Sequence, residues 1–171
     1  MTKDQLTSEE FNPYFNVYIN KVGKKTLLKA LEDGRDNTVQ FFESIPESKL
    51  EYAYAEGKWT PKELLLHLID AERVFSIRAL FFARTDDANL SSFDENVFAK
   101  NSYANARSIN NLIEEYKSVR QATIALFASL SEAALKKTGK ASGSVLSTRA
   151  SGFIICGHEI HHTQVIQERY L

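Results

Sequence analysis

An all-α four-helix bundle is the fold the sequence predicts, on three observations. Apolar residues recur at spacings of three and four, the period of a helix face, and no convincing strand alternation is found. Only seven glycines and three prolines punctuate the 171 residues. The long periodic stretches are separated by polar or Gly/Pro-containing breaks.

In chain order, residues 1–20 read as an N-terminal arm, whose apolar run 13–22 (PYFNVYINKV) forms a short helix or an extended strap docked on the domain. Residues 25–44 form the first helix, with Leu27, Leu28, Leu31, Thr38, Phe41, Phe42 and Ile45 on one broad stripe, and Pro46 stops it. The sharpest local signal follows. Thr60 suits an N-cap, Pro61 the first helical position, and Glu63 completes a capping box. The second helix then runs to about Arg84 with Leu64, Leu68, Ala71, Phe75, Ala79 and Phe82 inward, a span of roughly 37 Å at ~1.5 Å per residue. Residues 85–102, rich in Asp, Asn and Ser, make a long connection. Helical spacing returns over 103–131 through Ile109, Leu112, Ile113, Tyr116, Val119, Thr123, Leu126, Phe127 and Leu130. A Gly/Ser break at 138–144 precedes a last helix capped by Ser147 or Thr148. One long crossover between the second and third helices sets an up-down-down-up order, with the second and fourth antiparallel.

Length and composition suit one domain over residues 1–171. Lys and Arg number 21 against 22 Asp and Glu, a net charge of −1, so no basic field exists to collect phosphates and nucleic acid is not the expected partner. The single Cys156 forbids an intramolecular disulfide and clustered-thiolate metal sites. No apolar run approaches ~18 residues, and the start MTKDQLTSEE lacks a secretory core, so neither a membrane nor an export route is expected. The expected compartment is cytoplasmic.

Of four histidines, three fall within five residues, His158, His161 and His162, and the fourth is His67. On a helix, His158 and His162 stand about 6 Å apart in rise and ~40° in azimuth, so two imidazoles can reach one metal ion. They continue the inward row from Ile154 to Val165 and Ile166. A buried imidazole pair needs partners for its ring nitrogens, and a divalent cation satisfies both. Antiparallel second and fourth helices bring His67 toward His162, and a three-histidine site keeps open positions for water or substrate. The i, i+4 pair alone is equally compatible with core histidines bonded to carboxylates. His161 points aside and reads as a rim residue. His158-Glu159-Ile160-His161-His162 also spells H-E-x-x-H, but no strand pattern supplies the substrate-binding sheet of a zinc peptidase. Glu159 could still serve as a catalytic proton shuttle, and a salt-bridged glutamate is the alternative.

The run Gly57-Lys58-Trp59-Thr60-Pro61-Lys62-Glu63-Leu64-Leu65-Leu66-His67-Leu68-Ile69-Asp70-Ala71-Glu72-Arg73, with Arg78 and Arg84, and the closing Gly157-His158-Glu159-Ile160-His161-His162-Thr163-Gln164-Val165-Ile166, resemble the DinB-like superfamily. The resemblance covers about residues 18–171. It implies an up-down-down-up four-helix bundle with a metal on one histidine of the second helix and an HxxxH pair of the fourth, here His67, His158 and His162. It implies zinc or nickel as the metal and frequent homodimers. It also implies either hydrolysis or S-transfer with a low-molecular-weight thiol, acting on a small-molecule substrate. A non-catalytic dimeric metal-binding or stress-response bundle is the rival reading.

Three further positions have plainer readings. Trp59 either lines the site or packs as a hydrophobic staple. Glu72, Arg73, Arg78 and Arg84 suit surface ion pairs, with an anionic-substrate patch as the alternative. Cys156, nearly opposite His158 on the wheel, suits a small buried residue.

Overall fold

The computed structural model describes residues 1–171. Its four long helices are α1 (Leu27–Ser44), α2 (Pro61–Arg84), α3 (Ile109–Ala128) and α4 (Thr148–Arg169). The capping box forms as expected: Glu63 N–H donates to Thr60 Oγ1 (3.2 Å) and Thr60 N–H donates to Glu63 Oε2 (2.8 Å). Ser147 caps α4, accepting from Ala150 N–H at 3.0 Å. The third helix is shorter at both ends than its periodicity suggests. Tyr103 adopts a left-handed φ of 53° before a 3-10 turn, so α3 starts at the Ser108 cap. Ser131, expected inside it, instead caps the short helix Glu132–Lys136. Leu28, expected inward, is exposed.

The all-α expectation needs one correction, because a small sheet is present. Strands β1 (Asn89–Leu90), β2 (Thr138–Ala141) and β3 (Ser144–Ser147) pair in that order, β1 parallel to β2 and β2 antiparallel to β3. The expected break at 138–144 is thus a hairpin, turning at Ser142 and Gly143 with φ of 53° and 77°. Gly139 in β2 has no room for a Cβ, which would overlap the Phe82 ring. The sheet therefore packs on the C-terminal end of α2. The connection from α2 to α3 carries β1 and a helix at Glu95–Lys100, capped by Asp94.

Residue pairs define the helix neighbours. Leu27 meets Gly152, and Gly34 meets Glu159, across α1 and α4. Glu72 bonds Arg120, and Ser76 lies 3.0 Å from Thr123, across α2 and α3. Leu31 and Arg35 face Arg120 and Gln121 across α1 and α3. His67 faces His158 across α2 and α4. Two apolar clusters form the core. One gathers Leu27, Leu31, Phe75, Phe82, Phe127 and Phe153. The other gathers Phe42, Leu65, Ile69, Leu112, Tyr116 and Ile166. Between them, along every helix, runs a polar layer: Thr38, Glu72, Arg120 and the His158-Glu159 pair.

Every residue from 148 to 159 is buried, so the first half of α4 has no solvent face. Its outer side is covered by the arm, which runs through short helical turns at Pro13–Phe15, Asn16–Ile19 and Asn20–Val22. Gly157 permits this cover, because a Cβ there would meet the Tyr18 carbonyl group. Gly157→Ala should therefore lift the arm off α4 and cost about 1–3 kcal/mol, although alanine is the better helix former. Faster proteolysis within residues 13–22 and a lower melting temperature would show it; an unchanged melt with an intact arm would refute it.

Candidate metal centre

His67 lies two turns into α2, while His158 and His162 are successive turns of α4. The three side chains converge through their Nε2 atoms. His158 Nε2 lies 3.1 Å from His67 Nε2 and 2.9 Å from His162 Nε2, and one ligand atom from each ring lies within 4.8 Å of the others. Around a tetrahedral zinc ion with Zn–N bonds of ~2.0–2.1 Å, ligand nitrogens stand about 3.3 Å apart, so these spacings approach those of one coordination sphere.

Burial keeps the rings neutral, lowering His67 to about 4 and His162 to about 3. His158, buried and beside two other imidazoles, falls well below its ordinary value. Neutral rings keep lone pairs free, which metal binding requires. His162 Nδ1 is buried without a hydrogen-bond partner. Three facing imidazole nitrogens suit a divalent cation of the zinc or nickel type, and the set contains no thiolate. Cys156 is buried as expected, and burial pushes its thiol up, away from the reactive form.

The depressed histidines make a signed prediction for the chelated protein. Unfolded histidine titrates near 6.5, so between that pH and about 4 the unfolded chain takes up protons that folded His67 refuses. Stability should fall with pH through this window, by up to about 1.4 kcal/mol per pH unit for each such histidine. Chemical denaturation at pH 7 and 5 should show a smaller loss in His67→Leu than in the unsubstituted chain. Equal losses would contradict it.

Aromatic rings frame the cluster. The Trp59 ring centre lies 4.8 Å from that of His67, and the side chain also packs against the lower core, so it lines the site. Tyr18 of the arm sets its ring edge-on to His158 at 5.1 Å and to His161 at 5.4 Å. His161 is partly exposed at the rim. A cavity of about 410 Å³ opens over the three histidines, walled by Phe15, Trp59, Phe75, Arg78 and Phe93.

Glu159 is not brought to this cluster. Its carboxylate belongs to a buried charged layer in which Arg120 donates from Nη1 to Oε1 (3.1 Å) and from Nη2 to Oε2 (2.7 Å). Tyr116 donates its hydroxyl to Oε2 at 2.6 Å, and Thr38 does so at 3.3 Å. Arg120 also grips Glu72 through two bonds of 2.9 and 2.8 Å and donates to the Leu31 carbonyl at 3.1 Å. Burial pushes Glu159 up against the pull of Arg120, and raises Tyr116 well above its ordinary value beside that carboxylate. Gly34 makes room for Glu159, whose carboxylate a Cβ would overlap.

The surface-ion-pair reading of α2 holds only for Arg73, which bridges Glu115 at 2.7 Å. Glu72 and Arg78 are buried, and this corrects the expectation. Arg120 was not singled out by sequence. The signal was a charge one turn after inward Tyr116 and just before inward Thr123.

The architecture is thus a mostly helical bundle that carries a histidine cluster beneath an aromatic-walled pocket. The chain belongs to the DinB superfamily, whose family model matches residues 30–166. YfiT from Bacillus subtilis, described as a probable metal-dependent hydrolase with an unusual four-helix bundle topology, shares the fold at a TM-score of 0.77 and 17% identity, over 95% of this chain and 90% of that one. A mycothiol-dependent maleylpyruvate isomerase shares it at a TM-score of 0.69 and 11% identity, over 96% of this chain but 62% of the isomerase. No curated protein sequence matches the chain. No helix is long and apolar enough to cross a membrane.

Proposed function

We propose that the protein is an enzyme that holds one zinc or nickel ion on His67, His158 and His162 and hydrolyses a small electrophilic substrate. The carrying observation is the convergence of three neutral imidazole nitrogens at 2.9 and 3.1 Å beneath an open cavity. When bound, such an ion supplies Lewis acidity and brings the pKa of water or thiol toward neutrality. The chain's own part is to hold the three lone pairs in place and to wall the cavity above them with Trp59 and Phe75. Glu159 acts here as a positioning residue. Positions 158 and 159 are ~100° apart on the helix, so anchoring Glu159 on Arg120 fixes the azimuth at which His158 meets the other histidines.

A thiol S-transferase using a low-molecular-weight thiol is the second reading, favoured by the fold shared with the thiol-dependent isomerase. The same reading takes residues 1–171 as one domain with an up-down-down-up course. Its support is the parallel drift of pairs Leu27/Gly152 and Gly34/Glu159, and of Glu72/Arg120 and Ser76/Thr123. It also takes the protein as a cytoplasmic homodimer with no nucleic-acid or membrane partner.

Assays of ester and amide panels, and of thiol-plus-electrophile pairs, on metal-loaded, chelated and reloaded protein test the activity. Turnover should vanish with chelation and return with the ion. Turnover indifferent to chelation, or none on any panel, would overturn the enzymatic reading and favour a non-catalytic bundle.

A further inference from the structure

Four cationic side chains are buried: Lys62, Arg78, Arg120 and Arg149. Lys62 pairs with Glu51, Arg120 with Glu72 and Glu159, and Arg149 with Glu10. Arg78, only 4% exposed, has no carboxylate within ion-pair distance. Its Nη2 donates to the Ser91 carbonyl and to Ser142 Oγ, each at 3.1 Å, and its guanidinium lies 5.1 Å from the centre of the Phe75 ring and 5.8 Å from that of Phe93. A guanidinium carries five N–H donors, and with both protein bonds made from Nη2, those on Nε and Nη1 have no protein acceptor and stay accessible from the cavity rather than sealed in the core. Burying an uncompensated charge is costly, and burial here lowers the Arg78 pKa.

Arg78 lines the same 410 Å³ cavity as the three histidines. It stands three turns beyond His67 on one stripe of α2, about 16 Å in rise. Arg78 and His67 therefore line opposite ends of one cavity, and a ligand that reaches both must span the wall between them. Between them the wall is apolar, with Ala71 and Phe75 from α2 and Ile154 from α4. Exposed Glu95 is the acidic group on the wall, and it disfavours a second negative charge there.

We infer that Arg78 is the anion-binding residue of this pocket, and that the substrate class is a small monocarboxylic acid with an apolar or aromatic body. Its carboxylate rests on the unused Arg78 donors and its reacting group at the histidines. The placement of the reacting group rests on the metal reading above; the anion site stands on Arg78 alone.

Trp59, the only tryptophan, lies on the cavity wall, so its fluorescence reports occupancy. Zinc-loaded and chelated protein would be titrated with 4-phenylbutyrate and with neutral 4-phenylbutyramide. The acid should bind about tenfold or more tightly than the amide in both forms, as expected of charge-assisted hydrogen bonds. Arg78→Gln should bring the two ligands within about twofold, and Arg78→Lys should restore part of the preference. Acid and amide binding alike in the unsubstituted chain would overturn the inference, whether or not the variants fold. So would a preference that survives in Arg78→Gln, or one lost on chelation, which would place the carboxylate on the metal. Zinc retention without a preference would sink this inference and spare the metal reading. A preference without zinc retention would do the reverse.

Discussion

Exchange of His158 for alanine should empty the metal centre: zinc per chain should drop from about one to near zero after gel filtration, while His161→Ala stays loaded. His158 is the middle histidine of the cluster, the one whose Nε2 lies within 3.1 Å of the Nε2 of both other rings. Its loss removes a third of the donor set and leaves two imidazoles, His67 and His162, whose ring centres are 5.0 Å apart. Saturating zinc at 100 times its dissociation constant stabilises a native state by about 2.7 kcal/mol. For a chain of this length that is roughly 5–10 °C in melting temperature. The unsubstituted chain should show that rise and His158→Ala should not. Equal zinc contents in the two proteins would remove the centre from His158.

The second large effect belongs to the charged layer. Arg120→Met should cost about 3–5 kcal/mol, because Glu72 and Glu159 would be left buried with no cation between them. Against a usual total of ~5–15 kcal/mol, that loss puts the variant near the edge of folding. Adding Glu72→Gln and Glu159→Gln to Arg120→Met should recover part of it, since neutral amides bury at lower cost than carboxylates. Urea unfolding of the single and triple variants measures both steps. A single variant as stable as the unsubstituted chain would show that the layer contributes nothing net.

How much of this was legible in the sequence depended on how local each signal was. The α2 cap was readable because Thr60, Pro61 and Glu63 carry the whole interaction within four residues. The histidine set was readable because the i, i+4 pair is a local geometric statement and His67 sits on the border of an apolar stripe. The sheet was not. Its hairpin strands are four residues each, TGKA has no alternation, and β1 has only two residues, so tertiary packing on Phe82 decides them. The buried charges were hidden for a related reason. Glu72 and Arg120 look like surface residues until three other helices supply their partners, and Arg78 looks like one until Phe75, Phe93 and the hairpin turn close around it. The burial of all sides of the first half of α4 depends on a covering arm more than 120 positions away in the chain, a contact no periodicity encodes.

X-ray absorption on the zinc-loaded protein tests the central claim most directly. Three imidazole nitrogens should appear at about 2.0–2.1 Å with the outer-shell scattering of histidine rings, and His67→Ala should remove one of them. A first shell containing sulfur, or fewer than two imidazoles, or one unaltered by His67→Ala, would contradict a centre built on His67, His158 and His162.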